Sequence, residues 1–102
     1  MIIAERDGVV IVYLETLCTY EYFNLLLDTC SVALGVTFDH ELVEDGIIEY
    51  EFQWNNEDFV VQYDAFLGIT LYLAALETAT EHQIQQLENL GSQICTQMVA
   101  IK

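Results

Sequence analysis

Glu49 and Glu51 stand two residues apart in Ile47-Ile48-Glu49-Tyr50-Glu51-Phe52-Gln53-Trp54, where apolar and polar residues alternate. On a strand, such a pair projects from one face with its carboxylates about 6.6 Å apart. Two carboxylates at that distance can act as acid and base, as in glycoside hydrolysis, or make ionic contacts with a cationic partner. Acid–base work needs a pocket and unequal surroundings that drive the two pKa values apart, and a flat, wet strand face provides neither. The pair therefore points to binding. Gln62 and Asp64 are expected on the equivalent face of the next strand and Thr70 and Tyr72 on that of a third, with Glu57 and Asp58 crowning the turn between the first two. The expected partner-binding set is Glu49, Glu51, Glu57, Asp58, Gln62, Asp64 and Tyr72, an acidic and partly aromatic plateau. An ordinary solvated sheet face shows the same pattern, so spacing alone does not choose between the two.

Other chemistry finds no support in the residues. His40-Glu41-Leu42-Val43-Glu44 shares only its first two letters with the zincin helix, because Glu44 stands where the second histidine belongs. Asp39, Glu41, Glu44 and Asp45 depart from the spacing of the twelve-residue calcium loop. His82 falls in the first turn of a helix, where a surface residue is expected and not a general base. The chain has no Gly-x-Ser-x-Gly elbow and no glycine-rich phosphate loop. Its cysteines fall on apolar stripes, the usual place of inert packing. The expectation is a protein that is not an enzyme, with no catalytic residue, no metal and no cofactor.

Charge narrows the partner. Of 102 residues, 17 are Asp or Glu and only Arg6 and Lys102 are basic, a formal net charge of −15. Phosphate contacts need Lys and Arg, so direct binding to nucleic acid or an anionic membrane is disfavoured and a basic protein is favoured. Evenly spaced carboxylates resemble neighbouring phosphates, and opposite charge speeds an encounter. An inhibitor or immunity-type protein facing a basic toxin or nucleic-acid-binding protein would use this physics. The alternative is a homodimer or larger self-assembly, a structural or regulatory protein that buries surplus apolar surface of the first helix or an edge strand. Three cysteines, an odd number, argue against a disulfide framework. With no signal-like start and no apolar run long enough for a bilayer, a cytoplasmic protein is expected.

These residues need elements to hold them. A 54% hydrophobic fraction supports one core, and the length suits a single compact domain over residues 1–102. Val9–Leu14, entered through Asp7-Gly8, is expected as a strand buried on both faces. From Thr16 to Leu34 the spacing turns helical, with Leu17, Tyr20, Phe23, Leu27, Cys30 and Leu34 as one stripe and Gly35 as its cap. Cys18 and Cys30 would then share a helix, about 18 Å apart at roughly 1.5 Å per residue. Tyr22, Leu25, Leu26 and Ala33 fall off the stripe, as they would on a helix sandwiched within the chain or touching another. Residues 36–45 form an acidic connection holding a short strand or a helical turn. Strands follow at 47–54, 59–64 and 68–74, a meander with its turn at 55–58. Thr78 with Glu81 and Thr80 with Gln83 make overlapping capping boxes for a last helix striped by Ile84, Leu87, Gly91, Ile94, Cys95 and Met98. Gly91 on that stripe suggests close approach to the sheet. The class is α+β in the order β-α-β-β-β-α, a mainly antiparallel four-stranded sheet with two helices packed on one face.

Overall fold

The computed structural model describes residues 1–6, 9–16, 18–75 and 79–100, without the side chains of Arg6 and Ala100. Its elements are β1 (Ile2–Arg6), β2 (Val9–Glu15), α1 (Tyr20–Leu34), β3 (Asp39–Glu44), β4 (Ile47–Trp54), β5 (Glu57–Asp64), β6 (Gly68–Leu73) and α2 (Glu81–Ala100). The class is α+β. The sheet has six strands instead of the expected four, in the order β1-β2-β6-β5-β4-β3, and every pairing is antiparallel. The additions are the two edge strands. An edge strand is paired on one side only, so it shows a weaker burial pattern than the strands within. All six residues of β3 are exposed.

The meander runs as its alternation dictates. Ile48, Tyr50, Phe52 and Trp54 of β4 stand opposite Tyr63, Val61, Phe59 and Glu57 of β5. Asp45-Gly46 and Asn55-Asn56 close their hairpins with positive φ at both central residues, 48° and 80°, then 50° and 64°. Two-residue turns of that hand match the twist of the flanking strands. Gly68 opens β6 at φ 87°, and a Cβ there would collide with the Glu15 carbonyl oxygen and lie 2.8 Å from the Thr16 carbonyl carbon. The β2–β6 register slips between Tyr13 and Glu15, so the irregular end of β2 bears directly on Gly68.

Both helices cover the same face. Val12, Phe52, Phe59, Val61, Ile69 and Leu71 of the sheet pack with Phe23, Leu26, Leu27 and Cys30 of α1 and Leu87, Leu90, Ile94 and Met98 of α2. Aromatic rings run through the core: Phe23 of α1 stacks on Tyr63 of β5 at 5.4 Å, Phe38 ahead of β3 meets Phe52 edge-on at 5.1 Å, and Phe52 stacks on its cross-strand neighbour Phe59 at 5.7 Å. Gly91 lets α2 approach β2, since a Cβ there would lie 3.0 Å from Val12 Cγ1 and 2.9 Å from Met1 Sδ.

The helix starts are set by their caps. Thr19 Oγ1 accepts from the Tyr22 amide at 3.1 Å, and Gly35 ends α1 in the left-handed region at φ 67°. The cap at Thr19 starts α1 at Tyr20, so Cys18 precedes the helix and the expected shared helix for Cys18 and Cys30 is not found. Thr80 and Gln83 form a reciprocal box: the Gln83 amide donates to Thr80 Oγ1 at 3.1 Å and the Thr80 amide to Gln83 Oε1 at 2.9 Å. The competing box on Thr78, the Asp7-Gly8 turn and the place of Leu17 lie outside the described residues. Leu26, expected off the stripe, is buried in the core, and Leu25 and Ala33 are exposed. In β2 only Val12 and Leu14 are buried; Val9, Ile11 and Tyr13 are half-buried because the opposite sheet face carries no helix.

Candidate protein-binding face

The helix-free face collects the residues out of phase with the core. Cross-strand register places Glu49 opposite Gln62 and Gln62 opposite Thr70, then Glu51 opposite Val60 and Val60 opposite Tyr72. Val9, Ile11 and Tyr13 of β2 continue the surface toward one edge, and Ile47 and Leu42 continue it toward the other. The face is therefore divided. Its β2–β6 side is apolar and aromatic, and its β4–β3 side is acidic.

Glu49 sits at the junction. Its Oε1 accepts from Gln62 Nε2 at 2.6 Å and from the Tyr72 hydroxyl at 3.1 Å, which fixes one carboxylate oxygen and leaves the group half-buried. Burial, followed by the Glu49 charge and its hydrogen bond, pushes the Tyr72 phenol well above its ordinary value. Tyr72 thus remains a neutral donor at ordinary pH. Positional order of this kind lowers the conformational entropy lost when a partner arrives. Glu51 is exposed one pleat further along, in register with Asp39 of β3, and Asp58 is exposed opposite Gln53.

Beside Glu49, a recess of about 160 Å³ opens between β3 and β4, lined by Leu42, Glu44, Asp45, Ile47 and Glu49. Two aliphatic side chains and three carboxylates suit a long side chain with an apolar stem and a cationic head, which is the chemistry of Lys and Arg. A second, shallower recess of about 390 Å³ holds Asp39, His40, Glu51 and Asp58 with Phe52, Gln53 and Ala74. Among the described residues no group of His, Cys, Asp and Glu could hold a metal ion.

Two residues of the expected set have other duties. Glu57 belongs to β5 in phase with Phe59, Val61 and Tyr63, on the helix side, where Gln83 Nε2 of α2 reaches both its carboxylate oxygens at 3.4 Å. It stands apart from the plateau. Asp64 lies on the helix-free face, but its Oδ1 accepts from the amides of Phe66 at 2.8 Å and Leu67 at 3.3 Å and so shapes the β5–β6 turn. Glu44 falls in the acidic 39–45 segment that was expected to join the docking surface, whereas spacing on the sequence missed Leu42, which reaches the site through β3, and Ile47 at the start of β4. It also missed Phe66, a ring 90% exposed at the turn tip. An aromatic two residues after a turn-forming Asp is a signal for such a tip, although it carries no periodicity.

No family model, curated protein or solved structure matches the chain. Among the described residues no helix is long and apolar enough to cross a membrane.

Proposed function

We propose that the chain is a protein-binding module, acting without catalysis, that docks on a basic partner through its helix-free sheet face, as a small inhibitor or immunity-type protein would. One observation carries the reading: the face joins an apolar, aromatic half around Tyr72, Tyr13 and Ile11 to an acidic half around Glu49 and Glu51, with the Leu42–Ile47 recess at its acidic end. Protein interfaces combine a desolvated apolar centre with a polar rim in this way. The matching partner presents apolar side chains flanked by Lys or Arg, with one long cationic side chain seated beside Glu49. A net charge of −15 speeds that encounter and works against nucleic acid. The cytoplasm suits three free cysteines, of which Cys30 is buried.

Charge reversal tests the reading. Glu44→Lys and Glu51→Lys alter exposed carboxylates and leave the Gln62–Glu49–Tyr72 bonds intact. Stopped-flow association with an amphipathic helical peptide of Lys and Leu is the measurement. The double variant should associate more slowly, by roughly three- to tenfold at low salt, with a flatter salt dependence. An unchanged rate and salt slope would remove the sheet face from the encounter.

A further inference from the structure

The two edges of the sheet differ in how they are defended. At β3 the register slips between Asp39 and Leu42, His40 takes a positive φ of 53°, and Asp39, Glu41 and Glu44 put three carboxylates on six residues. Bulges and charges of that sort keep an edge from pairing with another strand. β1 has no bulge and no residue at positive φ, and its two charges are of opposite sign. Its five residues run in unbroken register with β2, Ile2 against Tyr13 through Arg6 against Val9. Ile2 is 56% exposed and Ile3 43% exposed. Its start is anchored, because Met1 lines a recess with Leu14, Tyr22, Ile94, Cys95 and Met98 beneath α2.

Charge selects the occupant. In a chain of net charge −15, β1 is an edge whose own charges, Glu5 and Arg6, cancel. A second copy brought to any acidic surface meets like charge, whereas one brought to β1 meets a neutral strand with two exposed isoleucines. We infer that β1 is a self-pairing edge at which two copies of this chain join antiparallel about a two-fold axis through Ala4. The occupant is the β1 strand of the second copy. Ile3 then faces Glu5 across the junction, Ile2 faces Arg6, and no acidic residue faces another. The two sheets of six strands become continuous, and their helix-free faces turn the same way. That doubles the acidic surface on one side, although the junction does not depend on what that surface binds.

The register makes a signed prediction that simple loss of an isoleucine does not. Ile3→Glu places like charges opposite each other at two symmetric positions, and Ile3→Lys places opposite charges there. Sedimentation equilibrium of the full chain and both variants, with circular dichroism to confirm folding, reads the result. The native chain should sediment at twice its 11.7 kDa mass, more completely as added salt screens the general repulsion. The dimer dissociation constants of the folded variants should differ by roughly tenfold or more, with Ile3→Lys the tighter. A monomeric native chain at about 100 μM and high salt, where even weak self-pairing should register, overturns the inference. Equal dissociation constants for the two variants overturn it as well.

Discussion

Gly68 tolerates no side chain, because a Cβ at its positive φ would strike the backbone at Glu15, which cannot move without disturbing β2. Gly68→Ala should lower unfolding free energy by ~2 kcal/mol or more, measured by urea denaturation. Alkaline stability depends on thiols and phenols that burial pushes up, Cys18, Tyr22 and Cys95 among them, and most on three. Burial pushes the Cys30 thiol from its ordinary 9.0 up to about 12. The hydrogen bond to Glu41, with burial behind it, pushes the Tyr50 phenol from 10.0 up to about 12, and Tyr72 also rises. Each group keeps its proton longer when folded than when unfolded, so stability is level below about pH 9 and falls as pH climbs through about 12. Cys30→Ala should flatten the first part of that fall, between about pH 9 and 10, in denaturation curves taken across the range. Single residues were partly legible. Gly91 on an apolar stripe signalled close packing, and it is found against Val12. Glu57 was read as part of the turn although it continues the phase of Phe59 and Val61, because Asn-Asn-Glu-Asp looks like one polar loop.

At the scale of elements, local chemistry located most boundaries. Asn55-Asn56 sits between two alternating runs and forms a two-residue turn, and Gly35 closes α1 as its position suggested. The Thr80–Gln83 box fixes the start of α2, and Gln83 also reaches Glu57, tying the helix to β5. Thr80→Ala should cost ~1 kcal/mol in thermal or chemical unfolding, while the last turn of α2 keeps its amide-exchange protection. The edge strands were less legible for identifiable reasons. In β1, Ile2-Ile3-Ala4 shows no alternation. In β3 the slip at Asp39–Leu42 breaks the period, and three carboxylates in six residues disguise a strand as a loop. Both owe their conformation to a neighbour's open hydrogen bonds, a tertiary effect that propensity does not register.

For the whole molecule, 17 acidic residues against two basic ones mean that folding gathers like charges. Salt that screens beyond about 10 Å at 0.1 M should therefore raise the melting temperature, a trend that calorimetry across sodium chloride concentrations would follow. Offsetting the repulsion is one apolar layer between the sheet and two helices, crossed by the stacked rings of Phe23 and Tyr63 and floored by Phe52 on Phe59 within the sheet. The opposite face has no such cover. Its acidic half was legible from the alternation of Glu49 and Glu51. Of its apolar half Tyr72 was legible as the third strand's share, but Ile11 was not, because β2 joins the face only by pairing with β6, a strand distant in sequence. The central claim is that this divided face meets a basic, amphipathic partner. Backbone amide shift mapping of the isotope-labelled chain, titrated with the Lys–Leu helical peptide, tests it most directly. The account predicts the largest changes at Leu42, Ile47, Glu49, Glu51, Gln62 and Tyr72. Changes centred on the outer surfaces of α1 and α2, around Val32 and Gln93, would contradict it.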